Sequence, residues 1–357
     1  MRKDPFRLHK LALAPFLESA QPFDFPSLLF EANKDRSNDF LQFLIFNGMA
    51  PLWHDALINS HQGSEIDDDF LEKLRQVRLT AEANYLTQKK TLVKINKTFT
   101  SSGIKYAIFK GALIREQVYK NPALRPCTDI DVLISKQDRD AAIHVLKNSG
   151  MHYKPETMNI SHEATFIDGT VNIDLHWHIL RPSRMRREMT KLLLENTEEL
   201  DEFVGLNEAA SLYVMLIHPI FTKYATAPQS TLIRLVDILR WIKIHQIDWD
   251  SVYYLLKQAG NCTAAWIMLQ WLNILTRVKP PQYFIEQINP GKLRSNYLRH
   301  WLSQDFSSRY LNHPLIIQIA FTLPAHDKFS DASRVVMQQI YDNLFAKNNE
   351  YSSQKRV

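Results

Sequence analysis

Cysteine is almost absent: Cys127 and Cys262 are the two in a chain of 357 residues. Two isolated thiols make neither a disulfide framework nor a zinc-ligand spacing, so the expected compartment is the reducing cytoplasm. Glycine is scarce as well, nine in all, which argues against a loop-rich or all-β fold. No apolar run approaches the roughly 18 residues that span a bilayer. The longest, Ala209 to Ile217 and Leu315 to Leu323, are core-sized. Leu11-Ala12-Leu13-Ala14 after the basic start is cut by Pro15 and Glu18, too short for a secretory signal. A strong charge of one sign is also missing. The net +5 suits an anionic substrate but carries no strong nucleic-acid signature. With 45% hydrophobic and 23% charged residues, the composition is that of an ordinary globular protein.

The patterning divides the chain into a helical region over residues 1–100, an alternating strand and helix region over 101–182, and a second helical region over 183–347. Residues 348–357 read as a polar, frayed tail. The fold class expected is therefore α+β. In the first part, Phe70, Leu71, Leu74, Val77, Leu79, Ala83, Leu86, Leu92, Val93 and Ile95 keep near-helical spacing and predict a helix from Asp67 to Phe99. Gln137 to Asn148 reads as a helix stopped by Gly150. In the last part, helices are expected to start near Ser183, Asn207, Gln229, Asp248 and Thr263. The Trp and Tyr residues at 241, 249, 253, 254, 266 and 271 follow helical spacing and read as core.

The chemistry concentrates between Ile104 and Ile179. A short apolar run ends in Lys110-Gly111-Ala112, and Asp129-Ile130-Asp131 sits in a second one. Side chains alternate along a strand, so Asp129 and Asp131 share a face. Paired carboxylates repel unless a cation lies between them, and neutralising either by Asn should relieve that strain. Further on, Val171, Ile173, Leu175, Trp177 and Ile179 alternate with Asn172, Asp174, His176 and His178. Asp168-Gly169 before them is a hairpin signal, with His162 to Ile167 as the partner strand. Asp174 is thus expected on a strand whose polar face adjoins Asp129 and Asp131. Mg²⁺, with Mn²⁺ as the alternative, binds through such carboxylates together with substrate phosphates. His176-x-His178 lies on the same polar face and reads as a substrate-contacting pair on the acceptor side, since a zinc site would need a third ligand. Arg234 and Asp237 are three apart and read as an i,i+3 surface pair.

The order of these motifs resembles the nucleotidyltransferase superfamily of the DNA polymerase β type. More narrowly, the chain is similar to the bacterial proteins called uncharacterised nucleotidyltransferases, in which a phrase like LKG…LRPMSDIDLLV precedes a DLHW strand. The matching words are Phe109-Lys110-Gly111-Ala112, Leu124-Arg125-Pro126-Cys127-Thr128-Asp129-Ile130-Asp131-Val132-Leu133-Ile134 and Ile173-Asp174-Leu175-His176-Trp177. The likeness extends to Asn47-Gly48-Met49-Ala50-Pro51-Leu52 and to Arg234-Leu235-Val236-Asp237.

The resemblance implies a small mixed-sheet nucleotidyltransferase core flanked by helical regions. It also implies transfer of an NMP from ATP or another NTP to a hydroxyl-bearing acceptor (small molecule, protein or RNA), with pyrophosphate released. Asp129, Asp131 and Asp174 would be the catalytic metal ligands. Lys110, Gly111, Ala112 and Arg125 would bind the nucleotide. Many superfamily members have Gly-Ser or Gly-Gly where this chain has Gly111-Ala112, so phosphate binding falls to backbone N–H groups at the following helix start. The rival readings are a nucleotide-binding protein without catalysis and a helical interaction protein whose acidic strand is a solvated edge.

Overall fold

Side-chain caps mark helix starts at Asp67 and Asp248. The computed structural model describes residues 4–17, 24–33, 40–60, 62, 65–154, 163–181, 183–221, 232–304, 314–338 and 340. Five helices lead in: α1 (Arg7–Leu13), α2 (Phe25–Asn33), α3 (Phe40–Phe46), α4 (Ala50–Asn59) and α5 (Asp68–Ser101). Asp67 starts α5 by accepting a hydrogen bond from Phe70 N at 2.9 Å. The buried stripe of α5 is Leu74, Ala81, Gln88, Thr91, Leu92, Ile95 and Phe99. Leu79, Leu86 and Val93, which near-helical spacing had placed with the core, face solvent instead. The drift between a 3.6-residue turn and a seven-residue repeat moves them off the buried line over so long a helix.

The middle of the chain builds a sheet from β1 (Tyr106–Phe109), β2 (Asp129–Ile134), β3 (His152–Lys154), β4 (Glu163–Asp168) and β5 (Val171–His176), with α6 (Gly111–Val118) after β1 and α7 (Arg139–Asn148) after β2. Two short strands, β6 (Thr197–Glu199) and β7 (Val204–Leu206), follow helix α8 (Thr190–Leu194) and complete it. The seven-stranded order is β3-β4-β5-β2-β1-β7-β6. β2 runs antiparallel to β1 and parallel to β5, so the sheet is mixed and the fold is α+β. Residues 183–347 were expected to be helical throughout, yet β6 and β7 fall there. Three residues each are too few to show alternation. Nor does a helix start at Ser183, whose φ is +68, a left-handed conformation that a helix interior excludes.

The β4–β5 hairpin turns through Gly169-Thr170, with Asp168 opposite Val171 and Gly169 at φ +61. The turn lies one residue later than Asp168-Gly169. Asp168 is instead the strand's last residue and holds α5 to the sheet, accepting from Lys94 Nζ at 2.7 Å and Thr91 Oγ1 at 2.9 Å. His162, assigned to this strand from sequence, lies outside the described residues, as does the polar tail.

Further along are α9 (Glu208–Phe221), α10 (Ile233–Ile244), α11 (Trp249–Ala259), α12 (Cys262–Thr276), α13 (Gln282–Gln287) and α14 (Lys292–Leu302), followed by helical turns from Pro314–Ile317 to Leu323–Ala325 and helical residues 329–338. Three of the expected starts, near Asn207, Asp248 and Thr263, fall within a residue of α9, α11 and α12. Trp241, Trp249, Trp266 and Trp271 are buried as expected, whereas Tyr254 is exposed. One continuous apolar core links both helical regions to the sheet. No described helix is long and apolar enough to cross a membrane.

Candidate active site

Alternation and register together assemble the carboxylates. Along β2, Ile130, Val132 and Ile134 are fully buried. In the parallel pairing of β2 with β5, Asp129 lies opposite Asn172 and Asp131 opposite Asp174. Asp131 and Asp174 are thereby fixed side by side on two rigid strands. A ligand atom from each, together with one from His176, all lie within 4.8 Å of one another. Asp129 stands outside that group, one pleat along β2.

Asp131 is the anchor. Lys110 Nζ donates to its Oδ1 at 2.6 Å, and His176 Nε2 lies 2.9 Å from the same oxygen. Burial works to raise its pKa, but the Lys110 charge and the His176 contact outweigh it and hold the carboxyl far below the usual range. Asp174 is the opposite case. Burial, then the charge of Asp131, push it up to about 6. Asp129 is raised as well, by burial first and Asp131 second. Asp174 also accepts from Thr165 Oγ1 at 3.1 Å. A site whose carboxyls are pushed upward by one another is one that a divalent cation relieves.

Lys110 reaches Asp131 from an unusual backbone. It is the cap of α6 with φ +57 and ψ −138, a region that non-glycine residues rarely occupy and that stores strain. Gly111 and Ala112 open α6, so their N–H groups are among those a helix leaves unused. Gly111 lines the cavity, and Ala112 is buried beneath it. Gly111 is required by packing: a Cβ there would lie 2.3 Å from Arg125 Nη1 and 2.8 Å from Cys127 Sγ. Arg125 cannot yield, because its guanidinium is held elsewhere. Gly111→Ala is expected to destabilise the protein by about 1–3 kcal/mol through overpacking. Urea denaturation checks this, and an unchanged midpoint would refute the packing argument.

Arg125 has its own partner. Its Nη2 donates to Asp237 Oδ2 at 2.7 Å and its Nε lies 3.3 Å from the same oxygen, both residues buried. Tyr119 Oη donates to Asp237 Oδ1 at 2.7 Å. Asp237 is therefore taken by the core rather than paired with Arg234 on a surface, and Arg125 joins α10 to the loop before β2. His176 is buried at the metal-type cluster, edge-on to the Phe109 ring at 5.3 Å, with Nδ1 3.3 Å from Glu163. His178 lies past the end of β5, its Nδ1 3.5 Å from Glu188. The strand stops at His176, so the expected alternation does not continue through Ile179.

These groups open onto one cavity of about 1040 Å³ between the sheet, α9 and α10. The acidic side is Asp129, Asp131, Asp174 and Glu163. Lys110 stands among them, bonded to Asp131, and Arg234 and His218 also line the cavity. Sequence reasoning missed Glu163 and His218. The hairpin signal put Glu163 on the strand beside Asp174 and so gave a usable hint, although the observed register sets it opposite His176, whereas nothing local marks His218.

The sequence model of the uncharacterised nucleotidyltransferase family matches residues 33–277, more than half of the chain. The chain belongs to that family. No curated protein matches it. The match runs from α2 through α12 and so takes in both helical flanks as well as the sheet. Membership supports transferase chemistry on a nucleotide, and the carboxylate–imidazole cluster is a candidate site for a divalent metal.

Proposed function

We propose that this nucleotidyltransferase family member moves an NMP from an NTP to a hydroxyl-bearing acceptor. The observation that carries the reading is the pairing of Asp131 with Asp174 across adjacent parallel strands, beside a helix start and inside a cavity that Lys110 and Arg234 also line. In the transfer, the acceptor oxygen bonds to the α-phosphorus, the bridging bond to the β-phosphate breaks, and pyrophosphate leaves with its electrons. A divalent cation, Mg²⁺ or Mn²⁺, held by Asp131, Asp174 and His176 with Asp129 beside them, would neutralise the phosphate oxygens and acidify the attacking hydroxyl. Asp174, ionised against the cation, would orient the attacking hydroxyl and help take up its proton. Gly111 and Ala112 offer backbone N–H groups to the phosphates. Lys110 supplies a mobile positive charge beside them. Arg125 acts by holding α10 in place, and His178 is left to the acceptor side.

Calorimetric titration of each of the four NTPs, with and without Mg²⁺, tests the reading. Wild type is expected to bind one or more of them only with Mg²⁺, and Asp174→Asn to lose most of that binding. Binding with no pyrophosphate release across a panel of hydroxyl acceptors would favour a nucleotide sensor. No binding of any NTP would sink the nucleotide reading.

A further inference from the structure

One donor in the cavity has no use in the fold. Arg234 sits in the first turn of α10, and its Nη1 is sealed from solvent without a hydrogen-bond partner among the described residues. Its helical neighbour Asp237 is engaged by Arg125 and Tyr119. Burial lowers the guanidinium pKa, Arg125 lowers it further, and Asp237, Asp131 and Asp129 act to raise it. A buried donor left unmade costs free energy, and native proteins rarely keep one without a reason.

The position of this side chain is nevertheless built with care. Asn47, 185 residues earlier, accepts from Leu232 N through Oδ1 at 3.2 Å, and its backbone oxygen accepts from Ile233 N at 3.3 Å. Asn47 is itself tied down by its Nδ2 donating to Phe43 O at 2.9 Å. Gly48, at φ +71, packs against Ile233, where a Cβ would approach Cγ2 to 3.3 Å. Two anchors, Asn47 before Arg234 and Asp237 after it, hold the turn that aims Arg234 into the cavity with Lys110 and the N-terminus of α6.

We propose that Arg234 is the residue that grips the β- and γ-phosphates, the pyrophosphate end of the NTP, through its planar fork. This rests on the nucleotidyl-transfer reading above. Three donors of different origin would then surround the leaving group: a backbone helix start, the Lys110 ammonium and the Arg234 guanidinium. A guanidinium matches two phosphate oxygens at once, where an ammonium offers a point charge. A small shift of the side chain toward bound phosphate would give Nη1 the partner that the unliganded fold does not.

The test compares Mg²⁺-dependent binding of ATP, AMP and inorganic tripolyphosphate to the full chain and to Arg234→Met and Arg234→Lys, with melting curves of each unliganded protein. Arg234→Met is expected to lose about tenfold or more in affinity for ATP and tripolyphosphate, the scale of a lost charge-assisted contact. AMP affinity should change less than about twofold on the same scale. Arg234→Lys should fall between wild type and Arg234→Met. The unliganded Arg234→Met protein should melt no lower than wild type, since an unused buried charge has been removed. Equal losses for AMP and ATP, or unchanged tripolyphosphate binding in both variants, would overturn the assignment while the nucleotide reading stood. Failure of wild type to bind any NTP or tripolyphosphate would remove the reading beneath it.

Discussion

Asp174→Asn is expected to lower nucleotidyl transfer by about 10²–10⁴-fold, the range for removing a positioned general base, and to flatten the pH dependence of stability. The sign follows from the direction of the shift. Burial and the charge of Asp131 raise the Asp174 carboxyl to about 6 in the folded chain, against about 3.9 when unfolded. A raised acid contributes stability that is fully present below the unfolded value and lost as pH climbs through about 6. Wild type should therefore melt higher at pH 5 than at pH 8 on account of this group. Asp174→Asn should lack that slope and should match or exceed wild type at pH 8. Thermal melts at both pH values and a pyrophosphate-release assay check the two halves. A variant that melts lower at both pH values, or that still transfers, would break the assignment. Asp131→Asn should behave differently. Equal relief by Asn at 129 or 131 was the expectation from charge repulsion alone, but Asp131 is the partner of both Lys110 and His176. Its loss would strand Lys110 and should lower stability together with transfer.

The second large effect is on the fold. Asp237→Ala is expected to destabilise the protein by about 3–5 kcal/mol, the usual result of removing one partner of a buried ion pair. Arg125 would be left charged and buried, its pKa now held high chiefly by Asp237 against the opposing effect of burial. Tyr119 would lose its acceptor in the same change. The double variant Arg125→Met/Asp237→Leu should recover much of the loss, since replacing such a pair by apolar groups is often nearly neutral. Guanidinium denaturation of the set decides it. A drop under about 1 kcal/mol in Asp237→Ala would mean the pair is effectively solvated and worth no more than a surface contact.

What was legible in sequence was what short-range periodicity encodes. Alternation alone put Asp129 and Asp131 on one face and Asp174 on a polar strand face, and the resemblance put those strands in one sheet. The register that sets Asp131, and not Asp129, opposite Asp174 is seen only in the structure. What was hidden depends on distance along the chain or on backbone geometry. The partner of Arg125 lies 112 residues away, and the default for Asp237 was its helical neighbour. β6 and β7 are too short to alternate. Lys110 was expected at the nucleotide, but neither its positive φ nor its contact with Asp131 was legible. Arg234 became informative only when its expected partner proved to be engaged elsewhere.

The Asn47–Leu232 contact also bears on how the molecule comes into being. Contacts spanning 185 residues cannot form until both ends have left the ribosome, and closing such long loops slows folding. Strands β1 to β5 can pair during synthesis, whereas Arg234 waits for α10. A nascent chain thus carries its carboxylates for many seconds, at about 5–20 residues per second, before Arg234 arrives. The turn between α3 and α4 closes on a helix made much later in the chain.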